Sequence, residues 1–284
     1  MQVTRRASSY QSQISRSTPT AFLFLIDQSG SMSDKMAGTG HSKSEFVADV
    51  INRTLMNLIT TCTKADGVRD YFHVGAIGYG EKVQNALWGA LSQEVLHPIS
   101  QLEQHPLRVE DRIKKVSDGA GGLVDTKIKF PVWVDAVASL GTPMRAALTC
   151  AAENLVKWCD RFPDSYPPTI LHVTDGESTD GDPEQHAEAI RQIGTRDGGL
   201  LLFNLHVSVS GSNPVRFPAA EAGLPDKFAK LLFRMSSPLP SHLHSALQNG
   251  ANAPAAGARG FMFNAGAADL VEFFDIGTRP SQLR

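Results

Sequence analysis

Ala21-Phe22-Leu23-Phe24-Leu25-Ile26 is the longest apolar run in the chain, and it ends at Asp27-Gln28-Ser29-Gly30-Ser31. A continuous apolar run bounded by turn-forming residues is the pattern of a central strand buried on both faces. The residues that follow have the opposite character. Asp27, Ser29 and Ser31 put one carboxylate and two hydroxyls on a single tight loop, and Gly30 gives that loop backbone freedom. By itself the pentapeptide is also an ordinary turn composition. Its meaning depends on what the rest of the chain brings beside it.

Downstream of the loop, Phe46, Val47, Val50, Ile51, Leu55, Leu58 and Ile59 recur at helical spacing. Ser42 or Ser44 is placed to cap that helix, with Glu45 in its first turn. Phe72–Tyr79 reads as a second short strand, closed by Gly78 and Gly80. Met144, Ala147, Leu148, Ala151, Leu155 and Trp158 mark a helix with Pro143 at its start. A strand at Thr169–Thr174, a helix from Pro183 to about Thr195 and a strand at Leu200–Val209 follow. A helix over Pro225–Arg234, a strand over Gly260–Asn264 and a short helix over Ala267–Phe274 complete the series. Strands alternating with helices over the whole length predict an α/β fold: a doubly wound, mostly parallel sheet with helices on both faces.

Two regions depart from that rhythm. Residues 1–19 are rich in Ser, Thr and Gln and read as a polar, disordered tail, leaving 20–284 as a single domain. Between about 81 and 140, Val83–Leu91 reads as an edge strand and Val124–Phe130 alternates as a strand with one wet face. Gly119, Gly121 and Gly122 mark a turn before the latter. The region is a β-rich elaboration at the sheet edge or a set of long loops.

Composition narrows the function classes. The 284 residues are 42% hydrophobic and 20% charged, enough apolar material for a sizeable core. The formal charge of -2 points away from nucleic acid or an anionic membrane as a partner. No run approaches the roughly 20 apolar residues of a spanning helix. The three cysteines, Cys62, Cys150 and Cys159, are odd in number and lack CxxC spacing, which fits buried thiols in a reducing compartment and a cytoplasmic location.

Two further segments belong with the first loop. Thr142 lies in Leu140-Gly141-Thr142-Pro143-Met144, just before a helix, and Asp175 lies in Val173-Thr174-Asp175-Gly176, just after an apolar strand. In open α/β sheets, ligands bind at the carboxyl ends of the strands near the switch point, which is where these loops should converge. Asp-x-Ser-x-Ser, then a threonine in a Gly-Thr-Pro loop, then a strand ending in Thr-Asp-Gly together resemble the metal-ion-dependent adhesion site of von Willebrand factor A (vWA) domains. The resemblance spans roughly residues 20 to 275. It implies that Ser29, Ser31 and Thr142 offer hydroxyl oxygens to one Mg²⁺ or Mn²⁺, with Asp27 and Asp175 binding directly or through water. It also implies that a partner protein completes the coordination with an Asp or Glu. An all-oxygen set suits such hard cations. With only two charged ligands, the ion keeps the electrophilic character needed to attract a third carboxylate.

The expected function is therefore a metal-dependent protein-interaction module, with no catalytic residues. Gln28, Met32, Gly141, Gly176 and Glu177 are expected to form its partner-binding rim. The chain is similar to stand-alone intracellular bacterial vWA proteins of tellurium-resistance-type stress and defence systems. These work beside a MoxR-type AAA+ ATPase or a kinase and phosphatase. Two other readings are a structural metal site in an assembly subunit and a Mg²⁺-dependent phosphoryl-transfer enzyme. The enzyme reading is weakened because Ser29 stands where dehalogenase-type phosphatases carry a second Asp, and no Walker motif is present. Counted as an EF-hand from Asp175, the acidic loop holds Asp180 and His186 where Gly and Glu are required. His242 and His244 lack companion ligands, and His172 and His206 sit inside apolar strands as core residues.

Overall fold

The computed structural model describes residues 10–36, 40–117, 122–207, 214–247 and 254–277. In chain order its first elements are β1 (Thr20–Asp27), α1 (Lys43–Cys62), β2 (Phe72–Tyr79), β3 (Val83–Asn85), β4 (Leu96–Pro98) and α2 (Ile99–Gln104). Next come β5 (Arg108–Ser117), β6 (Leu123–Val132), α3 (Met144–Arg161), β7 (Thr169–Thr174) and α4 (Glu184–Ile190). The last are β8 (Leu201–Val207), β9 (Val215–Arg216), α5 (Lys227–Met235), α6 (Ser241–Leu247), β10 (Phe261–Ala265) and α7 (Ala267–Gly277).

Strand β1 is buried at all eight positions, as its unbroken apolar sequence demands of a strand covered on both faces. It pairs in parallel with β2 on one side and β7 on the other. The sheet runs β9-β10-β8-β7-β1-β2-β3, with β4 also paired to β2. The four central ladders are parallel. The strands β3, β4 and β9 join antiparallel at the margins. The chain leaves β1 toward β2 and later returns to its other side with β7, so winding reverses at β1. In sheets wound this way, ligands bind beside such a reversal, at the carboxyl ends of the strands, here those of β1 and β7.

The alternation along β1 divides the core. Phe22, Phe24 and Ile26 face Val47, Ile51 and Leu55 of α1 and Phe273 and Phe274 of α7. Ala21, Leu23 and Leu25 face Leu148, Ala151 and Leu155 of α3, with Ala229 and Leu232 of α5 on the same side. Each such large apolar side chain contributes about 1.5–3 kcal/mol on burial. The strand is therefore fixed in register by both layers. Helix α1 starts at a complete capping box: Ser42 accepts from Glu45 N–H, and the Glu45 carboxylate accepts from Ser42 N–H.

Several expectations change. The stretch expected as a disordered tail is ordered from Tyr10 onward. Ile14 is buried, and Asp197 accepts hydrogen bonds from the backbone N–H groups of Tyr10, Gln11 and Ser12. Tyr10, packed beside Tyr166 with its hydroxyl donating to Gly199 O, anchors the segment together with Ile14. The helix after Pro183 stops at Ile190, because a small hairpin pairing Gly194–Thr195 with Gly198–Gly199 follows it. The helices α2 and α6 had no strong periodicity and are found only in the structure. The 81–140 region is β-rich, as one of its two readings held. Strands β3 and β4 extend the sheet edge, while β5 and β6 form a separate hairpin beside α1. Gly119 and Gly121 lie outside the described residues. Asn52 of α1 pins the exit of that hairpin: its Oδ1 accepts from Trp133 and Val134 N–H, and its Nδ2 donates to Val134 O.

Candidate metal centre

The two carboxylates lie at the ends of adjacent strands. Asp27 closes β1 and Asp175 follows β7 by one residue, with Ile26 and Val173 paired between them. Asp27 is wholly buried. Its Oδ1 accepts Ser29 N–H at 2.8 Å and its Oδ2 accepts the Thr174 hydroxyl at 2.7 Å. Burial pushes the Asp27 carboxyl above its ordinary range, against the pull of those hydrogen bonds. The Ser29 and Ser31 hydroxyls are 3.1 Å apart, and Ser31 Oγ donates to Asp175 Oδ1 at 2.7 Å. Asp27, Ser29, Ser31 and Asp175 thus form one hydrogen-bonded cluster.

Thr142 is buried on the third loop and is tied through its backbone to Thr179, outside the hydrogen-bonded cluster. Its N–H donates to Thr179 Oγ1 and its carbonyl accepts from Thr179 N–H, both at 2.9 Å. Gly141 before it has φ +82°, a conformation suited to glycine. Asp180 makes a second tie. Its carboxylate accepts from Arg145 N–H at 3.0 Å and Ala146 N–H at 2.9 Å, capping α3 from a neighbouring loop. Burial acts to raise the Asp180 carboxyl, but these two N–H groups and the Ser178 hydroxyl outweigh it and hold it below the ordinary range. Pro143, expected just inside α3, occupies the cap position and supplies no side-chain bond there.

Of the five residues expected at the rim, two are not there. Gln28 and Met32 are buried. Gln28 braces the loops instead: its N–H donates to Tyr79 O and its carbonyl accepts from Ser139 N–H, each at 2.7 Å. A Cβ on Gly78 would fall 2.3 Å from Gln28 Oε1, and one on Gly80 would fall 2.2 Å from Ser139 Oγ. Gly80 is needed to admit the Gln28–Ser139 brace, while Gly78 leaves room for the end of the Gln28 side chain. Met32 packs into the core with α1. Gly141 and Glu177 are exposed and Gly176 is half-buried.

The structure adds a residue the sequence reading missed. Lys43, the first residue of α1, has a side chain only 5% exposed. Its Nζ donates to Asp175 Oδ2 at 2.5 Å, Ser31 O at 3.2 Å and Asp34 Oδ2 at 3.4 Å. A signal was available. A cation in the first turn of a helix opposes the helix dipole, so a lysine there needs another reason.

Beneath the site runs a buried polar chain. Tyr79 Oη lies 2.5 Å from His172 Nε2, His172 Nδ1 2.7 Å from Asn204 Oδ1, and Asn204 Nδ2 2.9 Å from Ser236 Oγ, which donates to Leu232 O at 2.7 Å. Burial holds His172 down to about 4, so it is neutral, with its proton on Nδ1 facing the amide oxygen. His172 is thus a core residue, as expected. His206 is half-buried, stacked on Phe263 at 4.4 Å, and burial lowers it as well.

Carboxylate and hydroxyl oxygens, without sulfur or imidazole, fit a hard divalent cation. Among the described residues no three His, Cys, Asp or Glu side chains gather as a metal site, so any ion held here relies on the serine and threonine hydroxyls. Asp27, Ser29, Ser31 and Asp175 are the clustered residues that could hold it, and Thr142, the fifth expected ligand, lies on the neighbouring loop bonded to Thr179.

No family model matches the chain. No curated protein matches it either. Among solved structures it is similar to the proximal thread matrix protein 1 of the mussel byssus, whose MIDAS motif is zinc-occupied, at 12% identity and a TM-score of 0.46, covering 91% of this chain and 47% of that one. It is similar to a von Willebrand factor type A protein from Catenulispora acidiphila at 14% identity and a TM-score of 0.46, covering 93% of this chain and 43% of that one. It is also similar to the vWF domain of a type V pili tip protein from Porphyromonas gingivalis, at 10% identity and a TM-score of 0.44, covering 91% of this chain and 93% of that one. The chain spans less than half the length of the first two.

Proposed function

We propose that this chain is a vWA-type module that holds one divalent cation and uses it to grip an acidic residue of a partner protein. The observation that supports the reading most is the single hydrogen-bonded cluster of Asp27, Ser29, Ser31 and Asp175 at the switch point, with the Thr142 loop stitched to the Asp175 loop. When bound, the cation supplies Lewis acidity toward a carboxylate oxygen. The chain's own part is to fix the donors. Thr174 and Ser29 orient the Asp27 carboxylate, Gln28 and Ser139 brace the loops, and the exposed Gly141 and Glu177 leave the mouth accessible. Mg²⁺ or Mn²⁺ suits the set.

The reading is of a binding module rather than an enzyme, acting in the cytoplasm as part of a bacterial stress or defence complex, with a MoxR-type AAA+ ATPase or a kinase and phosphatase as partner. Resemblance in the site motifs supports the complex. The free cysteines Cys62, Cys150 and Cys159 support the compartment. The test is affinity capture from native extract with the wild type and Asp27→Ala, each with Mg²⁺ and with chelator. A partner retained only by the metal-loaded wild type supports the reading and names the complex. Identical partners under all four conditions refute it.

A further inference from the structure

Lys43 places an ammonium group inside the candidate metal site. Lysine is rarely buried unless paired, and the first turn of a helix is an unfavourable place for its charge. Here all three ammonium donors are used, on Asp175 Oδ2, Ser31 O and Asp34 Oδ2. Two of those acceptors belong to residues of the candidate ligand set. Asp175 divides its oxygens between the Ser31 hydroxyl on Oδ1 and the lysine on Oδ2. Its side chain is 1% exposed. A carboxylate so buried and so fully engaged is balanced by the lysine in the absence of any ion.

Resting on the metal-site reading above, we propose that Lys43 is a tethered counter-cation. It keeps the cluster assembled without metal and competes with the divalent ion for Asp175, which sets a threshold concentration for loading. The charges support this. Asp27, Asp175 and Asp34 bring three carboxyl groups to this end of the sheet, and the Lys43 ammonium is paired with two of them, Asp175 and Asp34. A divalent ion that enters beside the lysine meets a like charge in a low-dielectric pocket, and one that displaces it must break a short ion pair. Either route weakens metal binding. The same bond keeps the buried Asp175 carboxylate from standing uncompensated.

The experiment is calorimetric titration of the full chain with Mn²⁺ and Mg²⁺ at fixed pH, with thermal unfolding in chelator and in saturating metal. The proteins are the wild type, Lys43→Met, Lys43→Gln, Lys43→Arg and Asp27→Ala. Neutralising the lysine should tighten metal binding about tenfold or more, since a buried charge interaction is removed. It should also lower the melting temperature in chelator, with metal restoring much of the loss. Lys43→Arg, which keeps the charge, should bind metal no more tightly than the wild type. If Lys43→Met does not fold in chelator, the glutamine variant gives the neutral comparison. Wild-type binding abolished by Asp27→Ala, with no tightening in either neutral variant, overturns the counter-cation role and leaves the metal site standing. Absence of binding in the wild type and in both neutral variants overturns the metal-site reading and this proposal together. Binding that appears only once Lys43 is neutralised supports the competition directly.

Discussion

Acidification should destabilise this fold through His172 well before its carboxylates are all protonated. His172 is completely buried in β7, between Tyr79 and Asn204, and its imidazole is held down to about 4 from an ordinary value of 6.5. The unfolded chain therefore binds a proton that the folded chain refuses between those values, and stability rises with pH across that window. The contribution is fully present above about pH 6.5 and is lost as pH falls toward about 4, where the folded form also protonates. A depression of that size corresponds to about 3 kcal/mol, of which about 2 kcal/mol has gone by about pH 5. The assay is urea denaturation of the wild type and His172→Gln at several pH values between about 4.5 and 7.5. Other titrating groups act equally in both proteins, so the difference between the two stability–pH curves isolates His172. The variant is expected to be less stable at neutral pH and to lose less on acidification. Parallel curves would refute the argument, as would an NMR titration placing His172 near its ordinary value in the folded state.

Other perturbations test the supports of the site. Thr174→Val keeps shape but removes the donor to Asp27 Oδ2; it should cost about 1–3 kcal/mol in denaturant unfolding and weaken metal binding. Gly80→Ala forces a Cβ against Ser139 Oγ and Gln28 O, which should cost about 1–3 kcal/mol and disturb the loops, read as a lowered melting temperature. Asp180→Ala removes two N–H acceptors from the start of α3 and should cost about 1–2 kcal/mol by chemical denaturation. Burial pushes the Cys62 and Cys159 thiols up to about 12, so a thiol reagent at mildly alkaline pH should label half-buried Cys150 first, as peptide mapping will show.

What was legible in the sequence, and what was not, follows from how each feature is encoded. The six apolar residues before Asp27 encode burial on both faces directly, and β1 stands at the centre of the sheet accordingly. Asp27, Ser29, Ser31 and Asp175 are each tied to the end of a strong strand, so strand order alone brings them together. Lys43 was marked only by its unfavourable place in the first turn of α1; which groups it reaches depends on the angle at which α1 leaves its cap, a tertiary property. Gln28 was assigned to the rim because it lies between ligands, yet alternation continues past the strand end and turns it inward over Gly78. Tyr10 and Ile14 anchor a segment whose composition reads as solvated, since composition averages away individual contacts. The extent of α4 was overrun because the hairpin after it is stabilised by backbone pairing, which leaves no apolar period.

The stitch between the Thr142 and Asp175 loops bears on any attempt to redesign the surface they form. Thr179 satisfies both backbone groups of Thr142, and Asp180 caps α3 across the gap. A foreign 175–182 segment without these two residues would arrive with its own specificity and take away the footing of the neighbouring loop. Productive chimeras must exchange the 139–146 and 175–182 segments as a matched pair. Randomised libraries should hold Thr179 and Asp180 constant while varying Glu177 and the exposed positions around it. The proposed partner-binding surface and the side chains that tie the two loops share a few consecutive residues, so any redesign of this mouth has to be built around a fixed core of two side chains.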